Sequence, residues 1–509
     1  MSKKQKTIEE LLEEALVPEE EQPYEVPENW VWSNAGALSE TIRGVSYKKN
    51  QAEALKDVNN CLILRGGNIQ DGTILNQDDN VYVSKELVKE EQKLQKGDVV
   101  IVSSTGSSKV IGKAASVSDE FVGESFGAFL TTIRPNKKIN SSYFGLFYQT
   151  SNYRRLISNL AKGSNINNIK KEHLDNLPFP LPPLNEQKRI AEKVERLFAK
   201  IDEAKQLIEE AKETFELRRA AILDKAFRGE LTKKWREQQN HLPSPEQLFN
   251  VIKEQRLAIV ESKKELNEVQ SMFENFNFKQ YQNERNWLYL KANMFCYNIN
   301  CGSTPTAHIS ENGEIPFLKV YNIVNNKIDF EYKPQFIPRE VHEGKLKKSI
   351  LYPNDVIMNI VGPPLKKVAI IPDQYSEWNI NQAIVRFRPV ESVLPKYIYY
   401  CLQYDETLKD IINETRGVVG QSNISVSQCR NLVMPIPSRE EQEQIVERLD
   451  NLLEKENKAL ASISIYEKEL EKLKQSILSK AFCGELGTND PTEESAIELL
   501  KEVLQEKVK

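Results

Sequence analysis

LPFPLPPLNEQKRIAEKV, residues 177–194, and LVMPIPSREEQEQIVERL, residues 432–449, are one pattern written twice at an offset of 255 residues. ILDKAFRGEL at 222–231 and ILSKAFCGEL at 477–486 repeat at the same offset. Spacing preserved over such an interval means one continuous element without insertions, and the apolar pattern makes it a helix. In the first copy Ile190, Val194, Leu197, Ile201, Ala204, Ile208, Ala211, Phe215 and Ile222 advance by alternating steps of four and three. That is a heptad seam, interrupted at Arg218. In the second copy Ile445, Leu449, Leu452, Ala459, Ile463, Tyr466, Leu470, Leu473 and Ile477 do the same, interrupted at Glu456. A proline cluster precedes each helix and a glycine, Gly229 or Gly484, follows it, as helix punctuation predicts. At 1.5 Å per residue each rod is roughly 65 Å long. Two rods with apolar seams are expected to pair with each other; the competing expectation is that each packs on its own globular domain. Arg218 and Glu456 could form a buried pair that sets register, but the favoured expectation is that each reaches solvent.

The segments between the helices repeat more loosely. Trp30 in PENW corresponds to Trp287 in ERNW, and LILRGGNIQDGTI from Leu62 to PFLKVYNIVNNKI from Pro316. KGDVVIVSSTG from Lys96 matches PNDVIMNIVG from Pro353, and IRPNKKINSSYFGLF from Ile133 matches FRPVESVLPKYIYY from Phe387. GSNINNI from Gly163 and GQSNISV from Gly420 precede the two proline clusters. These stretches predict short strands cut by Gly, Asn and Asp turns, with helices around 143–160 and 397–413, an α+β module of about 150 residues. TIEELLEEAL at Thr7, SAIELLKEVL at Ser495 and PSPEQLFNVIKEQR at Pro243 also resemble one another. The two ends of the chain therefore read as parts of one unit split by the termini, giving circular order and approximate two-fold symmetry.

A chain of 509 residues with 39% hydrophobic and 28% charged residues has room for two to four domains with ordinary cores. No apolar run reaches the roughly 18 residues needed to span a bilayer, and the first 21 residues carry no leader-like apolar core. Six scattered cysteines without a C-x-x-C pair read as reduced thiols, and the expected location is the cytoplasm. The formal net charge of −5 hides a division. Residues 24–184 carry 19 Lys+Arg against 17 Asp+Glu, and residues 285–437 carry 17 against 14, so acidic segments surround two mildly basic modules. That balance is compatible with phosphate contact.

Catalytic constellations are missing from the sequence. GSSKVIGKA from Gly106 is one residue too long for a phosphate loop and lacks the closing Ser or Thr. No G-x-S-x-G elbow occurs, and His173, His241, His308 and His342 lack metal-ligand spacing. Recognition of an oriented polyanion fits better, since Gly/Ser turns and cations hold phosphates while Asn, Gln and Arg bond base edges. The candidate DNA-binding residues of the first module are Arg43, Lys48, Lys49, Arg65, Asn68, Ser104, Ser107, Lys109, Lys162, Asn165 and Asn168. Those of the second are Lys319, Tyr321, Asn322, Lys366, Lys367, Arg416, Gln421 and Asn423. No catalytic or metal-binding residue is assigned.

P-x-P-[PS]-x-x-E-Q at Pro180–Gln187 and Pro435–Gln442 resembles the specificity subunit of type I restriction-modification systems. So do A-F-x-G-E-L at Ala226–Leu231 and Ala481–Leu486, the N-I segment before the prolines, and the tandem order over nearly the whole chain. TIRGVSYKKNQA from Thr41 and SFGAFL from Ser125 are similar to the enterobacterial branch. The resemblance implies two target recognition domains, each reading one half of a bipartite, asymmetric double-stranded DNA sequence, and an antiparallel coiled coil as ruler. It implies two modification subunits bringing S-adenosylmethionine, and restriction subunits using ATP and Mg, with no cofactor in this chain and no catalytic residue of its own.

The expected fold class is thus α+β, with two tandem recognition domains separated and followed by long helices in a pseudo-two-fold arrangement. Expected divisions are a helical segment 1–23, domains 24–184 and 285–437, spacer helices 185–235 and 438–486, a helical linker 236–284 and a helical tail 487–509. Two alternatives stand beside this reading. One is a coiled-coil scaffold binding proteins only; the other is an enzyme, which would need a catalytic motif that this sequence lacks.

Overall fold

The computed structural model describes residues 6–70, 72–161, 167–278, 285–305, 309–415 and 423–508. Two compact units form, Met1–Glu209 with Ser464–Lys509, and Glu210–Ile463. The division does not follow chain order: it cuts through both long helices, Leu184–Phe227 and Arg439–Phe482, each of 44 residues. No helix among the described residues is long and apolar enough to cross a membrane.

Each unit repeats one plan. In the first, an antiparallel four-stranded sheet runs Ser39–Arg43, Leu130–Pro135, Val99–Val102, Ala114–Ser116. A three-stranded sheet runs Val81–Ser84, Asn60–Leu64, Ser125–Phe126. In the second unit the same orders recur as Asn300–Cys301, Ile384–Phe387, Val356–Asn359, Val368–Ile370, and as Phe336–Ile337, Ile315–Leu318, Asn379–Ile380. The repeated G-D/N-D and R-P fragments acquire a reason here. Arg134 grips Asp98 through Nε and Nη2 at 2.8 and 2.7 Å, and Arg388 grips Asp355 at 2.6 and 2.5 Å. Bidentate geometry of this kind satisfies a buried carboxylate that would otherwise be costly.

The long helices lie antiparallel within each unit. In the first, Lys474 sits over the Phe198 ring at 4.8 Å and Lys205 pairs with Glu471. In the second, Arg218 meets Glu456 at 3.3 Å and Arg448 donates to the Leu231 carbonyl. The expectation that Arg218 and Glu456 each reach solvent holds for Arg218, which is exposed, and is corrected for Glu456, which is 6% exposed with Arg218 supplying its counter-charge, although without hydrogen-bond alignment. The seam of the second helix also needs correction. Leu452, Tyr466 and Leu473 are exposed, whereas Leu449 and Leu453 are buried. Near its start that helix turns a face to the core of its own unit, so burial follows the 3.6-residue period of a globular helix rather than a strict heptad.

Both competing expectations for the rods therefore hold in part. Ile190, Ala191 and Val194 of the first helix share a core with Leu478, Ala481 and Phe482 of the second, and with Tyr143, Phe147 and Phe179 of the first module. Leu223, Ala226 and Phe227 share the other core with Ile445, Leu449 and Leu453, and with Tyr397 and Ile398. In each unit the proline-led start of one helix meets the glycine-terminated end of the other. The carboxylate of the E-Q dipeptide joins them. Glu441, 2% exposed, accepts from Trp287 Nε1 at 2.9 Å, Thr232 Oγ1 at 2.7 Å and Arg236 Nη2 at 2.6 Å. Glu186, fully buried, accepts from Trp30 Nε1 at 2.7 Å, Asn489 Nδ2 at 3.2 Å and Thr488 Oγ1 at 3.4 Å. The neighbouring glutamine oxygens accept the backbone N–H of Asn140 and Leu394, at 2.9 and 2.8 Å.

The glycines close this junction. Gly484 has φ +75°, and a Cβ there would lie 2.4 Å from Pro27; Gly229 has φ +69° and backs onto Trp287. Only glycine suits both demands. The terminal helices Ile8–Ala15 and Ala496–Val508 belong to the first unit, where Ala15, Ala496, Leu500, Val503 and Leu504 enter its core. In the second unit Pro245–Ala258 and Lys263–Glu274 contribute Leu248, Phe249, Ile252, Val269 and Phe273 to the other core. The Thr7 cap of the first terminal helix matches Ser262 at the same offset of 255 seen in the long helices. The described part of residues 236–284, expected as a helical linker, holds the two helices Pro245–Ala258 and Lys263–Glu274.

The two carboxylates differ in electrostatics. Glu441 has the guanidinium of Arg236, whereas hydroxyl, amide and indole donors surround Glu186 and burial raises its pKa above the ordinary value. A carboxyl whose folded-state pKa is raised contributes stability that is complete below its unfolded pKa and is lost as pH rises through the folded one. Glu441→Gln should therefore cost about 3 kcal/mol, by leaving Arg236 without its charge. Glu186→Gln should cost under about 1 kcal/mol at neutral pH and gain on the parent as pH rises from 4. Urea unfolding across pH checks both; equal costs at neutral pH would contradict the assignment.

Candidate nucleic-acid interface

At one edge of the first unit the chain lays four short rows side by side. Arg43 ends its strand opposite Thr131. Gly44 presses on the next row so closely that a Cβ would lie 2.2 Å from the Gly127 carbonyl oxygen. The tight turn 127–130 closes by Leu130 N–H to Gly127 O at 2.8 Å. The Phe129 carbonyl then accepts Ser103 N–H and Ser104 N–H at 3.0 and 3.1 Å. Ser104 in turn stands opposite Asn168, and Ile169 N–H reaches Ser103 O at 2.8 Å. Three candidates scattered over more than 120 residues, Arg43, Ser104 and Asn168, are thereby set in adjoining rows.

The second unit builds the same rows. A Cβ on Gly302 would lie 1.8 Å from Ile380 O, Ile360 N–H reaches Ala383 O at 2.8 Å, and Val361 stands opposite Asn423. Cys301, Ala383, Val361 and Asn423 fill the places of Arg43, Phe129, Ser104 and Asn168. Arg65 and Lys319 open matching turns directly after the neighbouring strands, whose Leu64 and Leu318 carbonyls accept Gly127 N–H and Asn381 N–H.

Two amides are removed from the candidate surface. Asn68 and Asn322 are each 1% exposed. Asn68 accepts Arg65 N–H at 2.8 Å and donates to Leu75 O at 3.0 Å. Asn322 accepts Lys319 N–H at 3.0 Å and donates to Asp329 O and Tyr332 O, both at 3.1 Å. They hold the turns that present Arg65 and Lys319, an Asx role that local sequence cannot tell from a reading one.

The cations are unevenly engaged. Lys48, Lys49, Ser107 and Lys109 are exposed, and Arg154 pins the turn carrying the last two by donating to Lys109 O and Ile111 O. Arg65 pairs with Asp79 at 2.7 Å, and Lys366 with Asp405. The backbone N–H of Lys367 donates to Asn359 Oδ1 at 2.6 Å. Tyr321 donates to Lys333 O at 3.3 Å, and burial raises its phenol above the ordinary value, against the pull of Lys333. Lys162, Asn165, Arg416 and Gln421 lie outside the described residues. Sequence reasoning missed Phe129, 70% exposed at the centre of the four rows, because an aromatic beside a strand reads as core. Among the described residues no group of three or more His, Cys, Asp or Glu could hold a metal ion.

Such rows offer a guanidinium, a hydroxyl and amides on a rigid edge, groups able to bond base edges, with cations nearby for phosphates. Comparison with known proteins points the same way. The type I restriction modification DNA specificity domain matches residues 27–213 and 284–464. The type I restriction enzyme EcoKI specificity subunit of Escherichia coli K12 is 32% identical, covering 91% of this chain and 90% of the relative. The StySPI specificity subunit of Salmonella potsdam is 42% identical over 41% of this chain and 44% of its own. A chain from the structure described as the basis of complex assembly and conformational transition of the type I R-M system shares the fold. Its TM-score is 0.59 at 20% identity, over 91% of this chain and all of that one. This chain belongs to the type I restriction-modification specificity subunit family and carries two copies of its DNA specificity domain.

Proposed function

We propose that each unit reads one half of a bipartite, asymmetric sequence in double-stranded DNA, and that the long helices fix the spacing between the halves. The observation that carries this reading is the repeated four-row edge. The frame recurs with its close glycine contacts and its backbone hydrogen bonds, while the side chains mounted on it differ: Arg43 against Cys301, Ser104 against Val361. Two readers built alike but furnished differently suit two unlike half-sites. A coiled-coil scaffold for proteins alone would have no use for such variation. Two modification subunits would dock on the helices and carry S-adenosylmethionine, and restriction subunits would bring ATP and Mg. This chain would then contribute no catalytic residue, and the assembly would act in the cytoplasm.

Exposed Lys48 and Lys49 are assigned to phosphates. Replacing both with Ala should weaken binding alike for all sequences and lower the slope of log K against log salt by about 2. Fluorescence anisotropy across a salt series measures this, and an unchanged slope removes them from the interface.

Mapping methylated adenines made by the chain together with its modification subunits tests the function itself, since it yields both half-sites and the spacer. Inserting about seven residues, two helical turns, into the middle of both long helices should lengthen the spacer and leave the half-site bases unchanged. An insertion that changes the half-site bases contradicts the division of labour.

A further inference from the structure

Phe129 is out of place by ordinary folding logic. Its ring is 70% exposed, yet its backbone is among the most firmly held at the edge. The carbonyl accepts Ser103 N–H, Ser104 N–H and the Ser103 hydroxyl, at 3.0, 3.1 and 3.1 Å. The turn before it is closed by Gly127, itself clamped between Gly44 and the Leu64 carbonyl. The ring so mounted stands outside the core and forgoes the burial that an aromatic normally gains.

The second unit shows that the fold does not require it. Ala383 occupies the same place, makes the same backbone hydrogen bond to the next row through Ile360, and is 9% exposed. Packing within the unit thus gives no reason for a phenyl group at 129. Its neighbours indicate one. Arg43 lies on one side, Ser104 and Asn168 on the other, all groups that bond the polar edges of bases. The apolar group that a base offers in the major groove is the 5-methyl of thymine.

We propose that Phe129 is a specificity-determining residue of the first unit, packing on the 5-methyl group of one thymine in its half-site. The inference rests on the DNA-reading function proposed above. It assigns to the first unit an apolar contact that Ala383 leaves smaller in the second.

The test uses the chain assembled with its modification subunits and duplexes carrying the mapped site. Each thymine of the first unit's half-site is replaced in turn by deoxyuridine, which removes only the methyl group. At one position the parent should lose about four-fold in affinity, the value of one buried methylene. Phe129→Ala should lose a similar factor on the thymine duplex and nothing further on the uracil one. Phe129→Leu, which keeps apolar bulk, should retain part of the uracil sensitivity. The second half-site should be read unchanged in all variants. The proposal is overturned if the half-site holds no thymine, if no uracil substitution affects the parent, or if the two losses add. It is also overturned if Phe129→Ala weakens all sequences alike. A parent complex that methylates no defined sequence would instead sink the functional reading.

Discussion

The architecture depends on a carboxylate buried where two helices of opposite direction meet. Glu186 and Glu441 each gather an indole from the start of their own module and a hydroxyl from beyond the end of the other helix. A buried carboxylate without such donors would cost several kcal/mol, so the partners must be present together. That requirement brings a segment near residue 30 or 287, the head of one helix and the tail of the other into one cluster. It explains why E-Q follows the prolines and why G-E-L-T or G-E-L-G-T follows the helix. The antiparallel pairing within each unit is the geometric consequence.

Given that junction, conservation and divergence between the repeats have a physical division. Residues that satisfy the buried acid, back onto a tryptophan or cap a loop through Gln187 and Gln442 cannot change alone, because each leaves a buried partner unmatched. The four-row edge is held by backbone hydrogen bonds and close glycine contacts, which are indifferent to outward-facing side chains. Arg43, Ser104 and Phe129 can therefore differ from Cys301, Val361 and Ala383 without disturbing the frame. One structural solution thus supports two different readers.

Much of this was legible in the sequence, for reasons that also explain the failures. A constant offset of 255 residues exposes the long helices and their ends, because a helix tolerates no insertion without rotating its faces. The circular order of the termini was visible in TIEELLEEAL and SAIELLKEVL, although the match of Thr7 with Ser262 rather than with the Pro243 segment required coordinates. Heptad spacing puts Leu452, Tyr466 and Leu473 on the seam of the second helix, yet all three are exposed, since spacing alone ignores the core against which a helix packs. Arg218 and Glu456 looked like separate interruptions because their meeting depends on the antiparallel register. Asn68 and Asn322 failed as candidates because an amide that caps a turn and one that reads a base look identical in sequence. Phe129 was invisible for the opposite reason: exposure of an aromatic is a property of the turn that carries it.

Each buried glutamate unites segments remote in the chain into one cooperative cluster. Hydrogen exchange of a Glu441→Ala variant, followed by peptide-resolved mass spectrometry, addresses this most directly. Protection should fall together around 229–236, 287–291 and 433–445, while the corresponding segments around Glu186 keep parental rates. Loss confined to 433–445, with 229–236 and 287–291 unchanged, would show that the glutamate caps its own helix and nothing more.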